Sequence, residues 1–203
     1  MPCYICKALT GIVKRLSVLT FDYEIFFDGQ NDLEHLITKT QKLTDIANHQ
    51  SVPLSFFVDI AYLQALQRNN LNDLYKRIKD QLNWLITCGH ELQFHWHPHW
   101  ITSTWDFEGN CWKFNKSDYS WGGFVNNHGL EKMKIAMAQC LDIFKNEFHI
   151  VPCAFRMGGL AVEEPQDYLQ TIEELGFTIE SSVFPGFMKE CRYFTTNHKN
   201  TPN

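Results

Sequence analysis

The sequence of 203 residues lacks the features of a membrane-spanning, a nucleic-acid-binding or a secreted protein. No apolar run reaches the roughly 18 residues that a membrane-spanning helix needs. Lys and Arg number 18 against 23 Asp and Glu, and this net charge of −5 argues against a protein that holds nucleic acid through its phosphates. The N-terminus lacks the basic segment, apolar run and small-residue cleavage site that mark a secreted protein, so we expect a cytoplasmic one.

The composition also lacks the low hydrophobicity of a disordered chain, because 44% of the residues are hydrophobic and 20% are charged. Seven cysteines cannot all pair, and those in apolar stretches are expected to be buried free thiols. Cys3 and Cys6 form a C-x-x-C pair, but there is no second pair to complete a zinc site. Without repeats, low-complexity tracts or linkers, residues 1–203 are predicted to form one domain with its core at about 16–185.

Hydrophobic periodicity alternates between strands and helices along the chain. Short apolar segments predict five strands, at 16–22, 53–58, 90–95, 153–156 and 177–183. Apolar residues at helical spacing predict helices at 32–47, 71–85, 130–148 and 165–176, whereas 100–124 is aromatic and turn-rich without clear periodicity. Such alternation is typical of parallel strands joined by helices, in a doubly wound sheet or an α/β barrel. Five strands do not close a barrel, so either the sheet is open or its C-terminal strands are missing.

Histidine is concentrated in the segment GHELQFHWHPHW at 89–100, which holds four of the nine histidines of the chain. The segment ends the third predicted strand, where the sites of α/β proteins are assembled. Neutral imidazoles at short spacing suit Zn²⁺ or another first-row divalent ion. A helical turn after the strand would bring His95 and His99 together, whereas an extended chain would point His95 and His97 to one side. The spacing leaves both pairs open.

Charged residues also follow two other predicted strands. Asp22 and Glu24 share one face of an extended chain, with Tyr23 on the other, and they can supply a metal ligand and a general base. Arg156 follows the fourth strand and is expected to point into the site, and Gly158 lies where a close approach of the backbone is useful. These groups lie at the same kind of strand end as the histidines.

Three motifs in this order carry a resemblance to a known family. Thr-Phe-Asp at 20–22, Gly-His-Glu-Leu-x-x-His-x-x-x-His at 89–99 and Phe-Arg-x-Gly at 155–158 resemble the polysaccharide deacetylases, the NodB-homology domain of carbohydrate esterases. The resemblance runs from about Ser17 to Pro185. It implies a distorted, possibly incomplete (β/α) barrel with fewer than eight parallel strands, and a divalent metal, often zinc, for the hydrolysis of acetylated sugars.

The resemblance also implies roles for individual residues. Asp22 matches the general base of the family, and Arg156 matches the arginine that orients this base. His95 and His99 match the metal-binding histidine pair, which selects one of the two pairs that the spacing leaves open. His97, Trp100 and Gly158 are the expected substrate contacts. Trp100 is included because it adjoins His99 in an aromatic segment whose rings could stack on a sugar or, equally, form a small core for the segment itself.

The sequence departs from the family pattern at two places. The second Asp of the first motif, a metal ligand in the family, is replaced by Tyr23. Related members with Asp-x-Asp or Asp-x-Glu place the ligand one residue later, which indicates Glu24, with a Tyr23 phenolate as the alternative. The general acid of the family, a histidine in a late Leu-x-x-His motif, has no match among these residues.

The expected function is therefore metal-dependent removal of an N-acetyl or O-acetyl group from a sugar or polysaccharide precursor. Zn²⁺ is the expected ion, and an N-acetylated carbohydrate is the expected partner. An allantoinase-like amide hydrolase on the same fold is one alternative. A non-catalytic glycan- or metal-binding relative that lacks the general acid is the other.

Overall fold

A computed structural model of the chain describes residues 17–25, 32–162, 165–183, 188–190 and 195–197. The strands are β1 (Thr20–Tyr23), β2 (Ser55–Asp59), β3 (Glu91–Trp96), β4 (Thr104–Asp106), β5 (Cys111–Lys113), β6 (Ala154–Met157), β7 (Ile179–Glu180), β8 (Met188–Glu190) and β9 (Thr195–Asn197). The α-helices are α1 (Asp32–His49), α2 (Ile60–Arg68), α3 (Asn72–Thr87), α4 (His99–Thr102), α5 (Trp121–His128), α6 (Leu130–Phe148) and α7 (Pro165–Glu174). Short 3₁₀ helices lie at Lys116–Asp118 and Gly158–Leu160.

The main sheet has five parallel strands in the order β1-β2-β3-β6-β7. This spatial order follows the chain without reversal, whereas a doubly wound sheet reverses direction at a switch point. Winding in one direction is the pattern of a barrel. The prediction of an α/β fold is confirmed. Among the described residues the sheet stays open between β1 and β7, and the architecture is consistent with a distorted, incomplete barrel.

The register of the sheet brings polar residues from separate strands to one end. Asp59 of β2 lies opposite His95 of β3, and His95 lies opposite Arg156 of β6. Asp22 of β1 lies two positions before Glu24, so both side chains leave the strand on the same face. Because all four strands are parallel, these residues meet near the carboxyl ends of the strands.

The other face of the sheet packs against helices. Tyr23 alternates with Asp22 and Glu24, is buried, and donates its hydroxyl to Gln81 of α3 at 2.7 Å. Burial raises the pKa of the Tyr23 phenol further above its usual range, with a smaller contribution from Tyr62. Phe94 stacks on Phe155 at 5.6 Å between ring centroids in the same apolar layer. The alternation of β1 therefore directs its tyrosine to the core and its two carboxylates to the other face.

Two regions differ from the sequence-based prediction. The helix α2 begins directly after β2 at Asp59, whose carboxylate accepts a hydrogen bond from the backbone N–H of Tyr62 as an N-cap. The apolar run through both elements has no break in hydrophobicity, so periodicity alone did not separate the strand from the helix. After residue 183, where no further strand was predicted, β8 and β9 form a separate antiparallel pair.

The segment at 100–124 also contains more regular structure than its sequence indicates. It holds α4, the antiparallel pair β4–β5 and the start of α5. Each of these elements is too short to show a repeat of apolar positions, and rings from different elements pack together instead. Trp100 contacts Trp112 at 5.1 Å, and Trp112 contacts Trp105 at 5.3 Å between centroids.

Cysteine and membrane predictions can be compared with the described residues. The four cysteines in this part of the chain form no disulfide, as expected, namely Cys88, Cys111, Cys140 and Cys153, and Cys140 is the one that is buried. The C-x-x-C pair of Cys3 and Cys6 lies outside the described residues. None of the described helices combines the length and the apolar character that crossing a membrane requires.

The buried carboxylate of Asp118 ties the aromatic segment together. Its Oδ2 atom accepts hydrogen bonds from Thr102 Oγ1 at 2.7 Å and His128 Nε2 at 3.0 Å, and its Oδ1 atom accepts one from Asn127 at 2.7 Å. A further hydrogen bond comes from Asn115 at 3.3 Å. A single side chain thus joins α4, the 3₁₀ turn and α5.

We expect Asp118→Ala to lower the free energy of unfolding by about 3 kcal/mol, because a buried charged acceptor and its hydrogen bonds from four side chains are lost together. Denaturant unfolding measures this loss. Asp142→Ala, on an exposed position of α6, is the matched control and is expected to change the value by less than about 0.5 kcal/mol. Equal stability of the two variants would contradict a stabilising role for the network.

Candidate metal centre

Three side chains from two strand ends converge on a small volume. Glu24 follows β1, and His95 and His97 lie at the end of β3, with one potential ligand atom from each residue within 4.8 Å of the others. Glu24 Oε2 lies 2.9 Å from His95 Nε2 and 3.2 Å from His97 Nε2. Two ring nitrogens from different residues therefore face the same carboxylate oxygen.

The opposite nitrogen of each imidazole is held by an oxygen atom. His95 Nδ1 lies 2.9 Å from the backbone carbonyl oxygen of Arg156, and His97 Nδ1 lies 3.0 Å from Asp59 Oδ2. A carbonyl oxygen can only accept, so His95 Nδ1 carries a proton, and an ionised Asp59 requires the same of His97. In the neutral tautomer this leaves both Nε2 atoms with lone pairs that point at Glu24.

Lone pairs that face a carboxylate at these distances repel unless a proton or a cation lies between them. The surroundings favour a positive charge between these atoms. Burial by itself would lower the pKa of His97, but the charge and hydrogen bond of Asp59, together with the charges of Glu24 and Asp22, have the larger effect and raise the pKa. Two Nε2 atoms and a carboxylate oxygen are a donor set that holds divalent zinc in hydrolases. Oxygen partners for the Nδ1 atoms are the usual support of metal-binding histidines. These residues therefore fit a divalent metal ion.

The electrostatics of Glu24 point the same way. Burial by itself would raise the pKa of this carboxyl, but the hydrogen bond with His95 and the charges of His97, His95 and Arg156 lower it to about 2. The side chain is 18% exposed, whereas that of His95 is fully buried. An ionised, largely buried carboxylate is thus available as an anionic ligand.

Asp59 is a site residue that the sequence analysis missed. It is 2% exposed, and besides capping α2 it accepts hydrogen bonds from the backbone N–H of His97 at 3.4 Å and from its ring. One carboxylate thus fixes both the backbone and the ring of His97. The sequence did contain a signal for Asp59, because an acidic residue directly follows an apolar strand there. The same kind of signal selected Asp22.

A second charged pair lies beside the donors. Arg156 Nη1 donates to Asp22 Oδ1 at 2.5 Å, its Nε donates to Ser181 Oγ at 2.9 Å, and its Nη2 donates to Thr20 Oγ1 at 3.0 Å. The guanidinium carbon also lies 3.9 Å from the centre of the Phe57 ring. The structure thus brings Asp22 and Arg156 together, with the arginine fixed from several sides and the Asp22 side chain 35% exposed.

Gly158 approaches the histidines through its backbone. A Cβ atom at this position would overlap Cδ2, Nε2 and Cγ of the His97 ring. The space taken by the imidazole therefore depends on the absence of a side chain at 158. The expected close approach at this glycine is to a histidine ring, and its predicted contact with substrate stays a prediction.

His99 lies outside the group of three donors. Its ring is 2% exposed and packs against Trp100, Phe114 and Tyr119 at 4.5, 5.4 and 5.5 Å between centroids. Burial and the charge of His97 lower the pKa of His99 well below its usual range. The chain stays extended through His97 before α4 begins, and this geometry brings His95 and His97 together. The role of His99 as a metal ligand stays a prediction.

Two other residues of the histidine segment are buried. Trp100 is 0% exposed and contacts Tyr62 at 4.9 Å, and its predicted stacking on a sugar stays a prediction. His90 precedes β3 and accepts a hydrogen bond from the backbone N–H of Leu54 at 3.1 Å. This contact joins β3 to the segment before β2, so His90 has a structural partner away from the donors.

We expect Gly158→Ala to lower the zinc affinity of the protein by about 10-fold or more, because the new methyl group displaces the His97 ring. Titration with zinc against a competing chelator measures the change. Gly176→Ala is the control, since the new Cβ at Gly176 has no atom near it and its φ of +89°, unlike the φ of Gly158, adds backbone strain of its own away from the histidines. Unchanged zinc affinity in a folded Gly158→Ala protein would show that the position of His97 does not matter for binding.

Comparisons with known proteins find similarity at the level of structure. No family model matches the chain, and no curated protein matches it. The fold is similar to a solved structure described as a "putative polysaccharide deacetylase" from Mycobacterium smegmatis, with a TM-score of 0.46 and 12% sequence identity. The match covers 88% of this chain and 56% of that one, so the chain spans little more than half the length of the solved protein. Similarity at this level gives no information about the site residues.

Proposed function

We propose that the chain is a metal-dependent hydrolase of the polysaccharide deacetylase type, which removes an acetyl group from a sugar or polysaccharide precursor. One observation carries the proposal: β1 presents two carboxylates from one face, and each has a different partner. Glu24 meets the imidazoles of His95 and His97, whereas Asp22 meets the guanidinium of Arg156. A group of ligands and a candidate base side by side at the same strand ends are the arrangement from which metal-assisted hydrolysis starts.

Each residue has a defined part in this proposal. Glu24, His95 and His97 would hold the ion, most simply Zn²⁺, which when bound polarises an acyl carbonyl and lowers the pKa of a water molecule. Asp22 is the general base, and because Arg156 occupies Oδ1, its Oδ2 atom accepts the proton of the attacking water and returns it to the leaving amine or alcohol when the C–N or C–O bond breaks. Arg156 orients the Asp22 carboxylate and is itself held by Ser181 and by Thr20 of β1. Asp59 and the carbonyl of Arg156 keep the ring nitrogens of the two histidines in the ligating tautomer.

The substrate class is tested with a panel of compounds on the zinc-loaded protein. Acetate release from N-acetylated sugars and from sugar acetate esters supports the proposal. Hydrolysis of allantoin without acetate release would assign the protein to the ring-amidase alternative. Zinc binding without hydrolysis of any of these compounds would favour a non-catalytic relative.

Asp22→Asn is expected to lower kcat by about 10²- to 10⁴-fold while zinc content stays at the wild-type level, because the base is lost and the ligands remain. Acetate release and metal analysis of the same sample measure the two effects. Asp80→Asn, on the exposed surface of α3, is the control for the substitution itself. Full activity of Asp22→Asn would rule out Asp22 as the base.

The ligand set is tested by comparing His97→Ala with His99→Ala. If Glu24, His95 and His97 hold the ion, His97→Ala loses the zinc-dependent rise in Tm, whereas His99→Ala keeps it. Both variants lose packing, so each is compared with and without zinc rather than with wild type alone. The reverse result would favour the pair of His95 and His99 that the family resemblance implies.

A further inference from the structure

A cavity of about 390 Å³ lies between α1 and the free edge of β1. Its lining includes Asp22 and Glu24, and also Phe21, whose side chain leaves β1 on the opposite face. A cavity that touches both faces of this strand passes along the edge that β2 does not cover, where no strand pairs among the described residues. The cavity therefore leads from the helix layer to the candidate base and to a carboxylate of the candidate metal centre.

One face of α1 forms the opposite wall of this cavity. The residues that line it recur at helical spacing, namely His35, Leu36, Lys39, Thr40 and Leu43. On the side of the sheet, the rings of Phe21 and Phe56 lie 6.0 Å apart between centroids and add to the apolar surface. A mainly apolar lining with a few polar groups is typical of small-molecule sites, and so is a volume of about 300–1,000 Å³. The cavity thus has the size and the lining of a site for a small molecule.

The two basic side chains of this wall, His35 and Lys39, are exposed and one helical turn apart. Within the part of the chain that the structure describes, neither makes a hydrogen bond or an ion pair. Arg77 of α3, by contrast, pairs with Glu34 of α1. The carboxylates of β1 that line the same cavity are held by Arg156 and by the histidines of the candidate metal centre. The Lys39 ammonium group is therefore available to an anion that enters the cavity.

From this arrangement we propose that the cavity binds the part of the substrate beyond the acyl group, and that Lys39 binds an acidic group of that part, a phosphate or a carboxylate. The proposal rests on the function proposed above, which places the acyl group at Asp22 and Glu24. A lysine complements such an anion as a point charge, and His35 on the same helix face can donate a further hydrogen bond. The substrate class is thereby narrowed from acylated sugars to acidic acylated sugars.

Binding of neutral and acidic sugars to the zinc-loaded protein tests this class. Calorimetry compares N-acetylglucosamine with its 1-phosphate and 6-phosphate and with N-acetylmuramic acid, which carries a carboxylate. We expect at least one acidic sugar to bind about 10-fold more tightly than the neutral one, and the difference to shrink as salt screens the charges. The phosphate and carboxylate compounds separate the two kinds of acidic group. Equal affinity for all four sugars would overturn the proposal.

Lys39→Gln tests the residue that carries the proposal. We expect this variant to bind the preferred acidic sugar about 5- to 10-fold more weakly, and the neutral sugar within about 2-fold of wild type. Lys42→Gln is the matched control, because Lys42 is exposed on the same helix but does not line the cavity, and it is expected to bind both sugars like wild type. Both positions are exposed, so neither substitution is expected to affect folding. A preference for the acidic sugar that persists in Lys39→Gln would place the anion elsewhere, for instance on the zinc ion, and would overturn the proposal.

Acetate release from the same sugars separates this proposal from the proposed function. If no sugar is hydrolysed but an acidic sugar binds more tightly and only Lys39→Gln weakens its binding, the hydrolase proposal fails and the anion site at Lys39 stands. If neutral and acidic sugars are hydrolysed with equal KM, and Lys39→Gln changes neither value, the hydrolase function stands and the anion site fails.

Discussion

The site depends on a single carboxylate oxygen, Glu24 Oε2, faced by two buried imidazole nitrogens. Without a proton or a cation between these atoms, their lone pairs repel and the arrangement is unfavourable. The remaining contacts follow from it: the other nitrogen of each ring must have an acceptor, and the structure supplies Asp59 for His97 and the carbonyl of Arg156 for His95. Burial of these groups strengthens each pairing and makes each missing partner more costly.

Arg156 connects the two halves of the site. Its backbone carbonyl fixes the tautomer of His95, and its side chain fixes Asp22. A substitution of Arg156 therefore removes the contact between the guanidinium and Asp22, the candidate base. The contact with His95, a candidate ligand, depends on the backbone of β6. Because strands are stiffer than loops, both contacts keep the precision that a catalytic arrangement needs.

The aromatic segment has a different role from that of the sheet. Its buried Asp118 network fixes the 3₁₀ turn that directly precedes Tyr119, and the ring of Tyr119 lies 5.5 Å from that of His97. The glycine turn after β6 makes this contact sterically possible. Regular structure thus positions the donors, and an irregular excursion supplies the partly exposed surface next to them, which is the usual division between scaffold and binding loop.

Short-range periodicity was enough to predict the α/β class, the alternation that puts Asp22 and Glu24 on one face, and the strand ends where the chemically active residues are concentrated. The tertiary structure alone decided which residues meet. Whether His97 or His99 joins His95 depends on whether the chain stays extended beyond β3, and spacing does not encode that choice. The sequence likewise did not show that Asp59 and Gly158 both meet His97, since these residues lie on different elements and only packing brings them within a few ångströms.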